Sequence, residues 1–286
     1  MKKSILYANG CSHTAGGGME YMLTEKDGKY IHVWKELYGF ENWGDEKNIM
    51  YPQRIADHFK LKCINEASSG SGAPRTIRKT YEYIINKGVE NLQDHIFLLQ
   101  FNNPVNRIEY YCRKIDEYLI INPQWGPDGK VESLSVTENY SVTTRKYHPE
   151  FFKDEIEDDI KIFLEKYHEP IKYYEQFIGQ CAGLISFLEQ INVEYFYMFS
   201  DGGPLTGKLQ HHFWNVENRK ERNIIIDGCR DISEYADKFK LTIEDDTKGI
   251  LGDRHAGYFA QIEYGKKISE ILQNKFNLEI NINKLV

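Results

Sequence analysis

Four short apolar runs, at residues 5–8, 62–65, 96–101 and 193–199, constrain this chain more than any other feature. They show no strict alternation of apolar and polar residues, so they read as strands covered on both faces rather than as a sheet with one wet side. Strands buried in that way need crossover helices, and the intervening segments supply them. Residues 51–59 place Ile55 and Phe59 on one face, with Pro52 in the first turn. Residues 76–87 predict a second helix, with Pro74 just upstream as its start signal. From Ile171 onward, Tyr174, Ile178, Cys181, Ile185 and Leu188 recur at helical spacing and predict a long helix leading into the fourth strand. A last helix begins near Gly257, with Tyr258, Ile262, Gly265, Ile268 and Leu272 as its inward stripe and Gly265 marking a close approach to the sheet. The expectation is an α/β fold with a parallel sheet.

Two stretches depart from the alternation and read as insertions in one domain spanning 1–286: about 16–50, dense in aromatics, and about 104–170. Within the second, the alternating run 131–142 predicts a hairpin. A formal charge of −7 gives no electrostatic footprint for a phosphate backbone, so nucleic acid is not an expected partner. The apolar run after Lys2-Lys3 turns polar at Asn9, too early for a signal peptide, and no stretch approaches the roughly 18 apolar residues of a membrane span. A cytoplasmic protein without membrane partners is expected. The five cysteines form no C-x-x-C pair, which argues against a disulfide framework and against structural zinc. Asn139-Tyr140-Ser141 matches a glycosylation acceptor, but without a secretory route it is read as a chance match.

The chemistry-bearing residues cluster where strands end. Gly10-Cys11-Ser12-His13-Thr14 puts a serine at the carboxyl edge of the first strand, the edge at which open α/β sheets build their sites. Alone, Ser12 is better explained as the cap of the following turn. Gly252-Asp253-Arg254-His255 offers a carboxylate and an imidazole immediately before the last helix. A serine hydroxyl needs a base to take its proton, and the base needs a third group to fix its tautomer. The segments from Asn65 through Gly70 to Gly72, and from Gln100 to Pro104, provide a glycine-rich turn and an asparagine side chain, both able to donate to a developing oxyanion.

In order and strand context these four segments resemble the SGNH/GDSL hydrolase family of serine esterases. The resemblance implies a three-layer α/β/α, flavodoxin-like fold. It also implies Ser12 as nucleophile, Asp253 and His255 as the rest of the triad, and an oxyanion hole made by Ser12 N–H, Gly70 N–H and the Asn102 side chain. Neither cofactor nor metal is then required. The chain departs from the family pattern at Cys11, where an Asp usually precedes the serine, and at Gln100 and Asn103, which stand for the outer Gly and Asp of the third block. Ala256 occupies the place of a common Pro, and Asp253-x-His255 is tighter than the usual Asp-x-x-His spacing. The likeness covers about half the chain and excludes both insertions.

Competing motifs are weaker. Gly202 to Lys208 satisfies most of a phosphate-binding loop, but Leu209 replaces the magnesium-binding Ser or Thr and Pro204 removes a backbone donor. Adjacent His211 and His212 point apart on a strand and are poorly placed for one metal ion. No G-x-S-x-G pentapeptide of the α/β-hydrolase type occurs. Aromatics from Tyr21 to Trp43 follow the serine and offer faces for a sugar ring, or simply pack the insertion. The expected activity is hydrolysis of an O-acyl ester, such as an acetyl group on a carbohydrate or other polar small molecule. An O-acyltransferase using the same triad and a non-catalytic carbohydrate-binding protein are the alternatives.

Overall fold

The computed structural model describes residues 3–15, 50–68, 70–102, 107–113, 116–125, 131–137, 157–167, 170–200, 214, 217–246 and 255–276. Four strands, β1 (Ile5–Asn9), β2 (Lys62–Asn65), β3 (His95–Phe101) and β7 (Glu194–Phe199), form an all-parallel sheet in the order β2-β1-β3-β7. β1 pairs on one side from Ile5↔Lys62 to Ala8↔Asn65 and on the other from Ile5↔His95 to Asn9↔Leu99. A parallel bridge between Tyr197 and Asn223 adds the stub of a further strand beyond β7.

Side chains alternate between two cores, as the pleat requires. On one face Leu6, Ala8, Ile96, Leu98, Phe196 and Met198 pack against α2 (Tyr51–Phe59), α7 (Ile232–Phe239) and α9 (Tyr258–Phe276). On the other, Tyr7, Phe97, Leu99, Tyr195 and Tyr197 pack against α3 (Ala73–Lys87) and α5 (Pro170–Gln190). The result is the expected three-layer α/β/α arrangement with a flavodoxin-like strand order. The switch point falls between β1 and β3, whose carboxyl ends carry Ser12 and Asn102.

Several boundaries differ from expectation for physical reasons. α3 starts at Ala73, so Pro74 lies inside its first turn, where a missing N–H costs nothing, and extended Gly72 (φ −95°, ψ 174°) is the N-cap. The second insertion, where a hairpin was expected only over 131–142, holds a three-stranded antiparallel sheet, β4 (Ile108–Cys112), β5 (Glu117–Trp125) and β6 (Val131–Thr137). Of the run 131–142 expected as a hairpin, the described part, to Thr137, is a single strand paired with β5. Helix α4 (Glu157–Tyr167) covers this small sheet, with Ile160 and Leu164 in a third core beside Ile108, Leu119 and Ile121. Among the described residues no helix is long and apolar enough to cross a membrane.

The inward face of α9 also needs correction. Tyr258 and Ile262 are only half-buried, whereas Ala260, Gln261 and Tyr264 join Ile268 and Leu272 inside. Gly265 does mark a close approach, but to α2 and not to the sheet. A Cβ there would lie 2.9 Å from Arg54 Cβ and 3.1 Å from the Tyr51 carbonyl oxygen. Gly265→Ala should therefore lower the thermal midpoint by several degrees, because this overpacking outweighs the ~1 kcal/mol by which alanine is the better helix former. A raised midpoint in thermal unfolding would contradict this account of the α2–α9 contact.

Candidate active site

Ser12 follows β1 as the first residue of a single helical turn, α1 (Ser12–Ala15), and is 4% exposed. Its hydroxyl oxygen lies 3.1 Å from Nε2 of His255, a residue 243 positions later in the chain. Two backbone hydrogen bonds place that histidine. Ile243 N–H donates to the His255 carbonyl (2.9 Å) and Gly257 N–H to the Leu241 carbonyl (2.8 Å), around an antiparallel Thr242–Ala256 bridge. Thr242 and Asp245 cap each other at the start of α8 (Ile243–Asp246): Thr242 N–H and Oγ1 donate to Asp245 Oδ2 at 3.0 and 2.6 Å, and Asp245 N–H donates back at 3.2 Å. From the first turn of α9, buried Gln261 donates to the His13 carbonyl (3.2 Å) and accepts from Tyr51 N–H (2.9 Å), tying the serine turn to two helices. The His13 and His255 rings lie side by side, their centroids 5.0 Å apart.

The β2–α3 turn is bound to the serine turn through one carbonyl. Gly10 O accepts from Ser68 N–H (3.3 Å) and from Ser71 Oγ (3.1 Å), which occupies both its lone pairs. Gly70 in this turn takes φ +74°, a left-handed conformation that favours glycine. Asn102, at the end of β3, donates from Nδ2 to the Ser71 carbonyl at 3.2 Å. Ser12, the Gly70 turn and Asn102 thus belong to one hydrogen-bonded assembly at the carboxyl edge of the sheet. Asp253 lies outside the described residues, as do the phosphate-loop-like stretch 202–209, His211, His212 and the aromatics from Tyr21 to Trp43.

Cys11 and Gln100 face each other next to the serine turn. Cys11 Sγ donates to Gln100 Oε1 (3.5 Å), and Thr14 Oγ1 donates to the same oxygen. Thr14 also meets the Tyr51 hydroxyl at 2.9 Å. Burial pushes the pKa of that phenol well up, so it stays neutral. On the opposite face, Asn9 accepts from Gly10 N–H (2.9 Å) and donates to Tyr7 Oη (3.1 Å), Thr76 O (3.1 Å) and Thr80 Oγ1 (3.3 Å), which fixes the end of β1 to α3. Sequence reading passed over Asn9, Ser71, Ser200 and Gln261. The available signal was positional: Ser200 directly follows a parallel strand, and Ser71 lies in the turn between β2 and α3. All five cysteines are free thiols. Among the described residues no group of three His, Cys, Asp or Glu side chains is placed to hold a metal ion.

Chemically the arrangement offers a hydroxyl in contact with an imidazole, beside a turn with a left-handed glycine and a buried carboxamide. No protein-family model matches the chain. No curated protein matches it either. Among solved structures it is similar to a carbohydrate esterase whose active site displays divergent catalytic and non-catalytic binding functions, at 10% identity over 97% of this chain and 70% of that chain, TM-score 0.39. It is also similar to an acetyl xylan esterase from the rumen bacterium Butyrivibrio proteoclasticus, at 11% identity over 98% of this chain and 66% of that chain, TM-score 0.42.

The exit from β1 has no room for a side chain at Gly10. A Cβ there would lie 2.6 Å from Thr14 Oγ1 and 2.8 Å from Gln100 Cβ. Gly10→Ala should lower the thermal midpoint by several degrees, since neither neighbour is the free end of a flexible chain. An unchanged midpoint would mean that the turn is looser than these distances imply.

Proposed function

We propose that the protein is a serine esterase of the SGNH/GDSL type, hydrolysing an O-acyl ester through an acyl-enzyme on Ser12. The observation that carries this reading is the 3.1 Å contact between Ser12 Oγ and His255 Nε2, made by residues from opposite ends of the chain. A caping serine and an ordinary loop histidine have no reason to meet at the carboxyl edge of a parallel sheet, whereas a nucleophile and its base must.

The mechanism then follows from proton accounting. Ser12 Oγ attacks the ester carbonyl carbon as its proton passes to His255 Nε2, and the carbonyl π electrons move onto oxygen. Ser12 N–H, Gly70 N–H and Asn102 Nδ2 are assigned to that oxyanion. Collapse re-forms the carbonyl and breaks the bond to the alcohol, which leaves with the proton from His255. Water then gives its proton to His255 and attacks the acyl carbon, and the second collapse returns that proton to Ser12 Oγ and releases the acid. Asp253 is assigned to hold His255 in the tautomer that leaves Nε2 free to accept. The alcohol side we assign to a carbohydrate or other polar small molecule, on the strength of the aromatic sequence from Tyr21 to Trp43 that follows the nucleophile.

Steady-state hydrolysis of 4-nitrophenyl acetate tests this reading. Ser12→Ala and His255→Ala should each lower kcat by at least ~10³-fold. Retention of most activity by either variant would place the chemistry elsewhere. Asn102→Ala should lower kcat by roughly 10²–10³ while leaving KM nearly unchanged, because its bond matters most once charge has developed. A raised KM with unaltered kcat would make Asn102 a substrate-binding group instead.

A further inference from the structure

A carboxamide can stabilise an oxyanion only if its NH₂ end, and not its oxygen, faces the reacting carbonyl. The two ends of Asn102 are nearly the same size and shape, so surrounding hydrogen bonds must choose between them. Asn102 is 2% exposed, which leaves that choice to the protein. Ser200, the residue after β7, donates from Oγ to Asn102 Oδ1. Its backbone is fixed by its N–H, which donates to the Phe101 carbonyl at 3.0 Å. Behind Ser200, Gln100 Nε2 donates to the same Oγ at 3.5 Å.

The direction of this chain is fixed at the Asn102 end, where the Ser71 carbonyl can only accept and so takes Nδ2. Gln100 Oε1 accepts from Thr14 Oγ1 and from Cys11 Sγ, which leaves its Nε2 to face Ser200. Ser200 Oγ accepts there and has a single hydrogen, which goes to Asn102. Asn102 must therefore present its oxygen to Ser200. Its Nδ2 is left to face the Ser71 carbonyl, with a second N–H to give. The reversed amide would set its oxygen against that carbonyl, two acceptors with no hydrogen between them. All the groups in the chain are buried: Thr14 0%, Gln100 1%, Asn102 2% and Ser200 4% exposed. Water therefore offers no ready substitute for a missing link.

We propose that Ser200, aligned by Gln100, is a positioning residue whose hydroxyl holds the Asn102 carboxamide with Nδ2 toward the oxyanion. The assignment rests on the esterase reading above and extends it. It also gives Gln100 a purpose: in place of the outer Gly of the third sequence block stands a side chain that transmits orientation from the serine turn to the oxyanion asparagine.

Hydrolysis of 4-nitrophenyl acetate by the full-length protein supplies the test. Ser200→Ala should lower kcat roughly 5–30-fold with KM little changed, the expected effect of losing one buried hydrogen bond that matters in the transition state. Ser200→Thr, which keeps the hydroxyl, should restore most of kcat. In an Asn102→Ala background Ser200→Ala should cause no further loss, since no carboxamide remains to be oriented. An unchanged kcat in Ser200→Ala would overturn the proposal. So would an equal loss in both backgrounds, which is what a merely structural role produces. Ser12→Ala separates the two levels of the argument. If that variant keeps its activity, the esterase reading and the positioning role fall together. If it is inactive and Asn102→Ala is impaired while Ser200→Ala is normal, only the positioning role falls.

Discussion

The site depends on the parallel pairing of β1 between β2 and β3. Because all the strands run the same way, every chain exit that follows them opens at one edge, and the in-register pairs Ala8↔Asn65 and Asn9↔Leu99 set those exits side by side. From this single constraint come the approach of Ser71 to the Gly10 carbonyl, of Asn102 to the Ser71 carbonyl and of Ser200 to Asn102. Gly10 itself is forced by it, since Gln100 on the neighbouring strand fills the space a side chain would need. A slip of one residue in β1 would turn its inward set from one core to the other and carry Ser12 away from His255.

Asn9, Gly10 and Gln100 are buried at this edge, yet each has hydrogen-bond partners of the right kind. Asn9 makes four bonds, Gly10 O two and Gln100 three. In a low-dielectric setting such a network is rigid because any single rupture strands a donor or acceptor. Rigidity is what an oxyanion site requires, because donors that must reorganise as charge develops give up much of their benefit. The same reasoning accounts for the placement of Gln261, whose amide satisfies a carbonyl in the serine turn and an N–H at the start of α2.

Much of this was legible in the sequence, and the rest was hidden for physical reasons. Lys62–Asn65 and Tyr51–Phe59 have the predicted limits because apolar run, Pro52 and helical spacing all agreed. The start of α3 was misplaced because Pro74 signals a helix from within its first turn as well as from before it. Gly265 was readable as a close approach, but periodicity does not say which neighbour approaches, and the partner is α2. The antiparallel sheet of β4, β5 and β6 escaped, apart from its last strand, which lies in the run read as a hairpin, since short strands of mixed polarity carry little pattern. Ser12, Gly70 and Asn102 could be picked out because their segments follow strands and together match the family's blocks in order; singly, each reads as a common loop. The bridge that sets His255 joins only Thr242 and Ala256, too short to leave a periodic trace. The pairing of Gln100 with Ser200 depends on the β3–β7 register, which one strand read alone does not contain.

The central claim is that Ser12 is a nucleophile activated by His255, and covalent trapping tests it most directly. Incubation with a fluorophosphonate, followed by peptide mass spectrometry, should place one phosphonyl group on Ser12, and the labelling should be strongly slowed in His255→Ala and absent in Ser12→Ala. Labelling at another residue, or an active protein whose Ser12 stays unmodified while its hydrolysis is blocked, would contradict the account.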